Sequence, residues 1–188
     1  MTFVDYVLRN PVNRTILHRA SQLGLPDWWL TGGAVFQTVW NVADGRDPSA
    51  GIDDYDVFYF DSADLSADAE RHAALRAAAL FADLPARIEL SNEARVHLWY
   101  EEHFGARGVP FRSTRDAIDH FIAPTCAFGI TRTADGTFDV YAPYGFDDLR
   151  ARRVRPNPRL DAGPTYARKT ARWSIEWPGL VVEPWPEP

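Results

Sequence analysis

Two aspartates at the mouth of an apolar strand constrain this chain more than any other feature. Residues 53–60 read DDYDVFYF. Successive side chains of a strand point to opposite faces, so Asp54 and Asp56 share one face while Tyr55 and Val57 take the other. Two carboxylates a few Å apart on one face repel, and such a pair persists beside a cation or in water. Mg²⁺ (or Mn²⁺) suits it, because Mg²⁺ is held through one or two carboxylates and completes its shell with water and substrate phosphates.

The stretch before the aspartates supplies a matching half. The apolar run 28–30 reads as a strand, Thr31-Gly32-Gly33 as a turn, and residues 34–41 as a helix. Glycine lets the backbone come close to a phosphate, and a helix that starts there offers unpaired N–H groups to an anion. Val35, Val39 and Val42 form one stripe of the helix and Phe36 and Trp40 the next, which predicts a helix buried against the sheet. Gln37 is the polar exception. It reads equally as a satisfied buried amide or as a nucleotide contact. Residues 57–60 are apolar without alternation, as in a central strand covered on both faces.

A further strand is expected over 87–90, with Glu89 pointing away from Ile88 and Leu90. A lone carboxylate inside an apolar strand wants a partner; the plain alternative is a solvent-facing Glu on an edge strand. Residues 91–104 fit a strand or a helix capped by Ser91 or Asn92, and the helix is favoured. Within it, His97 reads as a hydrogen-bonded structural histidine. Arg95 is placed either to reach a triphosphate or to pair with Glu89 or Glu93.

A glycine pair after a strand, then a helix, then Asp-x-Asp on the next strand resembles the DNA polymerase β-like nucleotidyltransferase superfamily. The stretches GGAVFQTVWN, GIDDYDVFYFD, NEARVHLWYEEHFG and YAPYGFDDLRARRVRPNP are similar to a family of small bacterial nucleotidyltransferase-like proteins. The resemblance covers roughly residues 25–158. It implies an α+β fold, a small mixed β-sheet with helices packed on it, and transfer of a nucleoside monophosphate from a nucleoside triphosphate to an acceptor. Asp54, Asp56 and Glu89 are then the catalytic and metal-binding residues, the last as the superfamily's third carboxylate. Gly32, Gly33, Gln37 and Arg95 are the expected nucleotide contacts. The chain departs from the superfamily pattern before the Asp-x-Asp, where a small Ser is common and Asp53 stands here. On an ideal strand Asp53 faces away and orients a loop; if the register slips, it replaces Asp54. Two other readings stay open. One is a non-catalytic nucleotide-binding or regulatory protein that kept the fold, which would lack the third carboxylate. The other is an Asp-x-Asp nucleotide-sugar glycosyltransferase, which has no need of the glycine pair. A haloacid-dehalogenase pattern fits less well, because its aspartates follow the apolar run.

At 188 residues, with a core about 25–158 and a C-terminal helix and tail over 159–188, a single domain is expected. The net charge of −6 argues against general nucleic-acid binding. No apolar run approaches the ~20 residues of a membrane helix, and no basic leader precedes an apolar segment, so cytoplasmic residence is the expectation. The one cysteine leaves no internal disulfide. Lys169 is the sole lysine beside many arginines, as a GC-rich genome would give.

Several smaller expectations complete the reading. Leu75, Ala78, Ala79 and Ala82 predict the packing face of an alanine-rich helix capped by Ser66. Asp135-Gly136 predicts a hairpin between 125–131 and 137–141, with Asp139 on its second strand and facing solvent. The arginines Arg150, Arg152, Arg153, Arg155 and Arg159 read better as packing on the acidic body than as a phosphate site. The aromatic, proline-punctuated end is expected along the surface. The acceptor, the nucleobase and the oligomeric state carry no sequence signal.

Overall fold

The computed structural model describes residues 1–104, 108–159 and 162–186. In chain order the elements are α1 (Phe3–Val7), α2 (Pro11–Arg19), β1 (Trp29–Thr31), α3 (Gly33–Ala43), β2 (Tyr55–Tyr59), α4 (Ala67–Leu80), β3 (Ile88–Asn92), α5 (Tyr100–Phe104), α6 (Thr114–Asp119), β4 (Gly129–Arg132), β5 (Phe138–Tyr141), α7 (Asp147–Arg150), β6 (Arg153–Val154), α8 (Gly163–Glu176) and β7 (Val181–Val182). The main sheet has five strands in the order β3-β2-β1-β4-β5. It is mixed: β2 and β3 run parallel, while β1 is antiparallel to both β2 and β4.

Local chemistry sets the helix starts. Thr2 and Asp5 form a capping box on α1, and Asn10 accepts from the Val12 and Asn13 amides ahead of Pro11 in α2. Ser66 caps α4 through the Ala69 amide. In α4 the buried positions are Ala73 and Ala77, and Leu75 is 61% exposed. The packing stripe expected at Leu75 and Ala78 is therefore rotated, because the i, i+4 ladder that continues to Phe81 buries more area.

β2 also differs from expectation. Tyr55, Val57 and Tyr59 are buried and Asp56 and Phe58 only partly so. The strand therefore alternates, with its apolar face on α3 and the main core and its Asp56 face opening into a cleft. That second face is covered in part by α6. Trp29, Ile118 and Ala127 make a separate small core there, and Phe121 meets Phe58 edge-on at 5.7 Å. Gly129 makes room for it, since a Cβ there would stand 2.7 Å from Ile118. Residues 88–92 continue as strand where a helix start at Ser91 was favoured. The chain turns only at Glu93, where its amide donates to the Tyr59 carbonyl, 2.8 Å.

The C-terminal end lies along the surface from Pro178 to Pro186, as expected, and Trp177 is the exception. Trp177 is fully buried, donates to Asn41 at 2.8 Å and packs on Trp40. Trp173 meets Phe36 at 5.1 Å. Four aromatic rings thus bind α8 to α3, and β7 pairs with β6. The prolines that suggested a surface tail follow a segment whose indoles are too large to leave in water.

Candidate active site

The site begins at the end of β1. Thr31 is the cross-strand partner of Asp56, so the turn that follows opens beside that aspartate. Gly32 has φ 61°, ψ −137°, and a Cβ there would stand 3.2 Å from Asp56 Oδ2. Both the backbone angle and the carboxylate exclude a side chain at this position. No side chain caps α3, whose first N–H groups start directly beside the carboxylate. Gln37 folds back on Gly33, its Nε2 3.1 Å from where a Cβ would lie. Gln37 is 2% exposed and its Oε1 has no hydrogen-bond partner among the described residues. It is not a satisfied buried amide.

Glu89 is the register partner of Asp56 on the parallel strand β3, which puts the two side chains on one face. Asp54 precedes β2, and the Arg87 guanidinium spans it and Glu89, at 2.9 Å and 3.1 Å. Burial, followed by the Asp54 and Glu89 charges, pushes Asp56 up to about 7 against the pull of Lys169 and Arg87. Among the described residues no cluster of three or more carboxylate, His or Cys side chains is gathered closely enough to hold a metal ion. The donor set itself, carboxylate oxygens around an acidic group raised by its neighbours, is the chemistry a hard divalent cation takes. Arg87 places a positive charge between Asp54 and Glu89.

The other expected residues divide clearly. Asp53 pairs with Arg172 of α8, so the register has not slipped and Asp53 anchors the loop to that helix. Arg95 pairs with Glu70 and also donates to the Leu65 carbonyl; its partner is neither Glu89 nor Glu93. Asp139 pairs with Arg115. Arg152 pairs with Asp44, Arg153 and Arg155 with Asp148, and Arg159 with Asp119, which is the body-packing arrangement. His97 Nδ1 is buried without a partner among the described residues, contrary to its reading as a hydrogen-bonded histidine.

Two residues carry more weight than their sequence context suggests. Lys169 on α8, distant in sequence, acts electrostatically on Asp56. Glu93 is 3% exposed, and its Oε1 has no partner among the described residues. Burial, outweighing a hydrogen bond from Ser91, pushes its carboxyl up to about 8, with the Asp56 and Glu70 charges adding to the effect. A cleft of about 470 Å³ borders Glu93. It runs from Asp56 and Glu89 past Glu93 to Trp99, Tyr100, Phe111, His120 and Phe121. The His120 ring is fixed by donation from Nδ1 to the Asp116 carbonyl, 2.7 Å.

A nucleotidyltransferase family model matches residues 18–182. The chain belongs to the nucleotidyltransferase family. A solved NMR structure said to reveal a CCA-adding enzyme head domain resembles this family member at 26% identity. Its TM-score is 0.79, over 97% of this chain and 95% of that one. A structure of a tRNA-processing enzyme complex shares the fold at 13% identity, with TM-score 0.52 over 89% of this chain and 43% of that one. No curated protein matches the chain. Family and fold support nucleotidyl transfer in general. Among the described residues of this nucleotidyltransferase no helix is long and apolar enough to cross a membrane.

Proposed function

We propose that this protein is a divalent-metal-dependent nucleotidyltransferase that moves a nucleoside monophosphate from a nucleoside triphosphate to an acceptor hydroxyl. The observation that carries the reading is the contact between the Gly32 turn and Asp56. A phosphate chain laid on the N-terminus of α3 necessarily meets that carboxylate. Mg²⁺ or Mn²⁺ bound there would supply charge neutralisation of the phosphates and acidify the attacking hydroxyl. Asp54, Asp56 and Glu89 would hold it, and Glu89, on the strand next to Asp56, would accept the acceptor's proton. Gly32 and Gly33 offer backbone N–H groups to the β- and γ-phosphates, and the orphaned Gln37 Oε1 lies behind them. Lys169, the positive charge that already acts on Asp56, is suited to the triphosphate.

A second reading, a nucleotide-binding protein without catalysis, draws on the Arg87 bridge, which satisfies Asp54 and Glu89 internally. Thermal shift with each of the four nucleoside triphosphates, with and without Mn²⁺, followed by pyrophosphate release, tests both. A metal-dependent shift with release supports transfer, and a shift without release under any acceptor supports the second reading. No shift with any nucleotide would refute both.

A further inference from the structure

We propose that the cleft beyond Glu89 is an acceptor pocket for a small, phosphate-free compound bearing a hydroxyl and a protonated amine, with a ring between them. The inference rests on the nucleotidyl-transfer reading and adds the class of the second substrate. Its ground is the wall chemistry. Among the described residues the lining holds the carboxyls of Asp56, Glu70, Glu89 and Glu93 and no arginine or lysine. A phosphorylated sugar or an RNA end would bring its own negative charge against a wall whose only basic side chain, among the described residues, is His120. Glu70 is already matched by Arg95 and by the Asn92 amide, 2.8 Å. Glu93 is matched only in part, by Ser91. It is 3% exposed, lines the cleft, and keeps Oε1 without a partner among the described residues. A buried carboxyl oxygen with no donor is costly until one arrives, and a ligand ammonium is the donor that an acidic, lysine-free cavity selects.

The aromatic walls set the shape. Trp99, Tyr100, Phe111 and Phe121 border the same space, and rings of this kind take the flat face of a sugar or phenol and attract a nearby cation. The volume of about 470 Å³ is that of a small-molecule pocket. Order in the sheet assigns the cleft to the acceptor. Gly32 lies on the β1 side of Asp56, near Phe121, and Glu89 on the β3 side, so phosphates on Gly32 leave the Glu89–Glu93 end of the cleft to the nucleophile. In the step, the acceptor hydroxyl oxygen forms a bond to the α-phosphorus of the nucleoside triphosphate. The bond from that phosphorus to the bridging oxygen breaks, pyrophosphate leaves with the electron pair, and the hydroxyl proton passes to a carboxylate.

The test uses tyramine and glucosamine as probes, with 4-ethylphenol and glucose as their amine-free counterparts. Glucosamine 6-phosphate and a short RNA ending in a free 3′-hydroxyl represent the phosphorylated class. Binding is followed by saturation-transfer NMR on the full chain, and transfer by label from the α-phosphate of each nucleoside triphosphate. The expected result is binding of at least one amine probe, tenfold weaker in Glu93→Gln and in Phe111→Arg, with the nucleotide–Mn²⁺ thermal shift unchanged in both. Phe111→Arg keeps the test decisive should Glu93→Gln misfold, since it puts a cation on the wall and leaves Glu93 intact. No amine binding, unchanged binding in both variants, or label appearing on the RNA or the phosphorylated sugar overturns the proposal. Weakened nucleotide binding in both variants overturns it as well and makes the cleft the nucleobase seat. Amine binding lost in the variants, with no nucleotide bound by wild type, upholds the pocket and refutes nucleotidyl transfer.

Discussion

Replacing Asp56 with asparagine should make the metal-free protein more stable at pH 8, the reverse of most changes at a partly buried polar site. The Asp56 carboxyl stands at about 7 in the fold against an ordinary 3.8. Between those values the native state holds a proton that the unfolded chain has lost. Proton binding therefore favours the fold, fully below pH 3.8, and the benefit disappears as pH rises through 7. A shift of about three pH units at 1.36 kcal/mol each is worth roughly 4 kcal/mol at most. Asparagine carries no charge to be expelled, so Asp56→Asn should keep that stability at pH 8. For a chain of this size the gain corresponds to about 10 °C in melting temperature. The gap between variant and wild type should close as pH falls toward 4, where both carry a neutral group. Mn²⁺ should raise the wild-type melting temperature at pH 8 by binding the ionised site and leave Asp56→Asn unmoved. Melting curves from pH 4 to 8, with chelator or with Mn²⁺, read all of this. A variant that melts below wild type at pH 8 in chelator, or a gap that does not narrow with acid, would refute the reasoning.

Four further outcomes follow from the same geometry. Gly32→Ala forces an L-residue to φ 61° with its Cβ 3.2 Å from Asp56 Oδ2; it should cost about 1–3 kcal/mol in denaturant unfolding and weaken nucleoside triphosphate binding at least tenfold by calorimetry. Arg87→Ala removes the cation that spans Asp54 and Glu89, and Mn²⁺ titrated into it should bind severalfold tighter than into wild type; weaker binding would mean that the guanidinium helps to build the site. Trp177→Ala empties a fully buried position and should cost about 3–5 kcal/mol in urea unfolding. Arg159→Ala breaks a partly exposed pair with Asp119 and should leave nucleotide affinity within twofold, whereas a tenfold loss would return the basic segment to the phosphate site.

What could be read in advance was what short-range geometry decides. The strand–glycine–helix order around Gly32 follows from the turn. The mixed sheet came with the family resemblance. Burial that depends on distant elements was not legible. Glu93 looks like any polar residue after a strand until α4 and α6 close over it. Lys169 stood out only as the sole lysine, because its effect on Asp56 crosses 113 positions of chain. Trp177 stands just before a proline and reads as surface until α3 presents Trp40 and Asn41 to it. Leu75 misled because it is the largest apolar side chain in the middle of α4, whereas the ladder that packs is made of alanines. The apolar run 57–60 concealed an alternation, since Phe58 faces a cleft walled by another aromatic ring rather than by water.

The aromatic clasp between α8 and α3 has a consequence during synthesis. The helix that begins at the glycine turn leaves the ribosome early, yet Phe36 and Trp40 meet their covering rings only when Trp173 and Trp177 have been made. The hydrogen bond from Trp177 to Asn41 closes a span of 136 positions. At about 5–20 residues per second, the growing chain carries a bare aromatic stripe for several seconds. It is a natural docking point for a chaperone over that interval. Translation slowed after α3 should lengthen the interval and lower soluble yield.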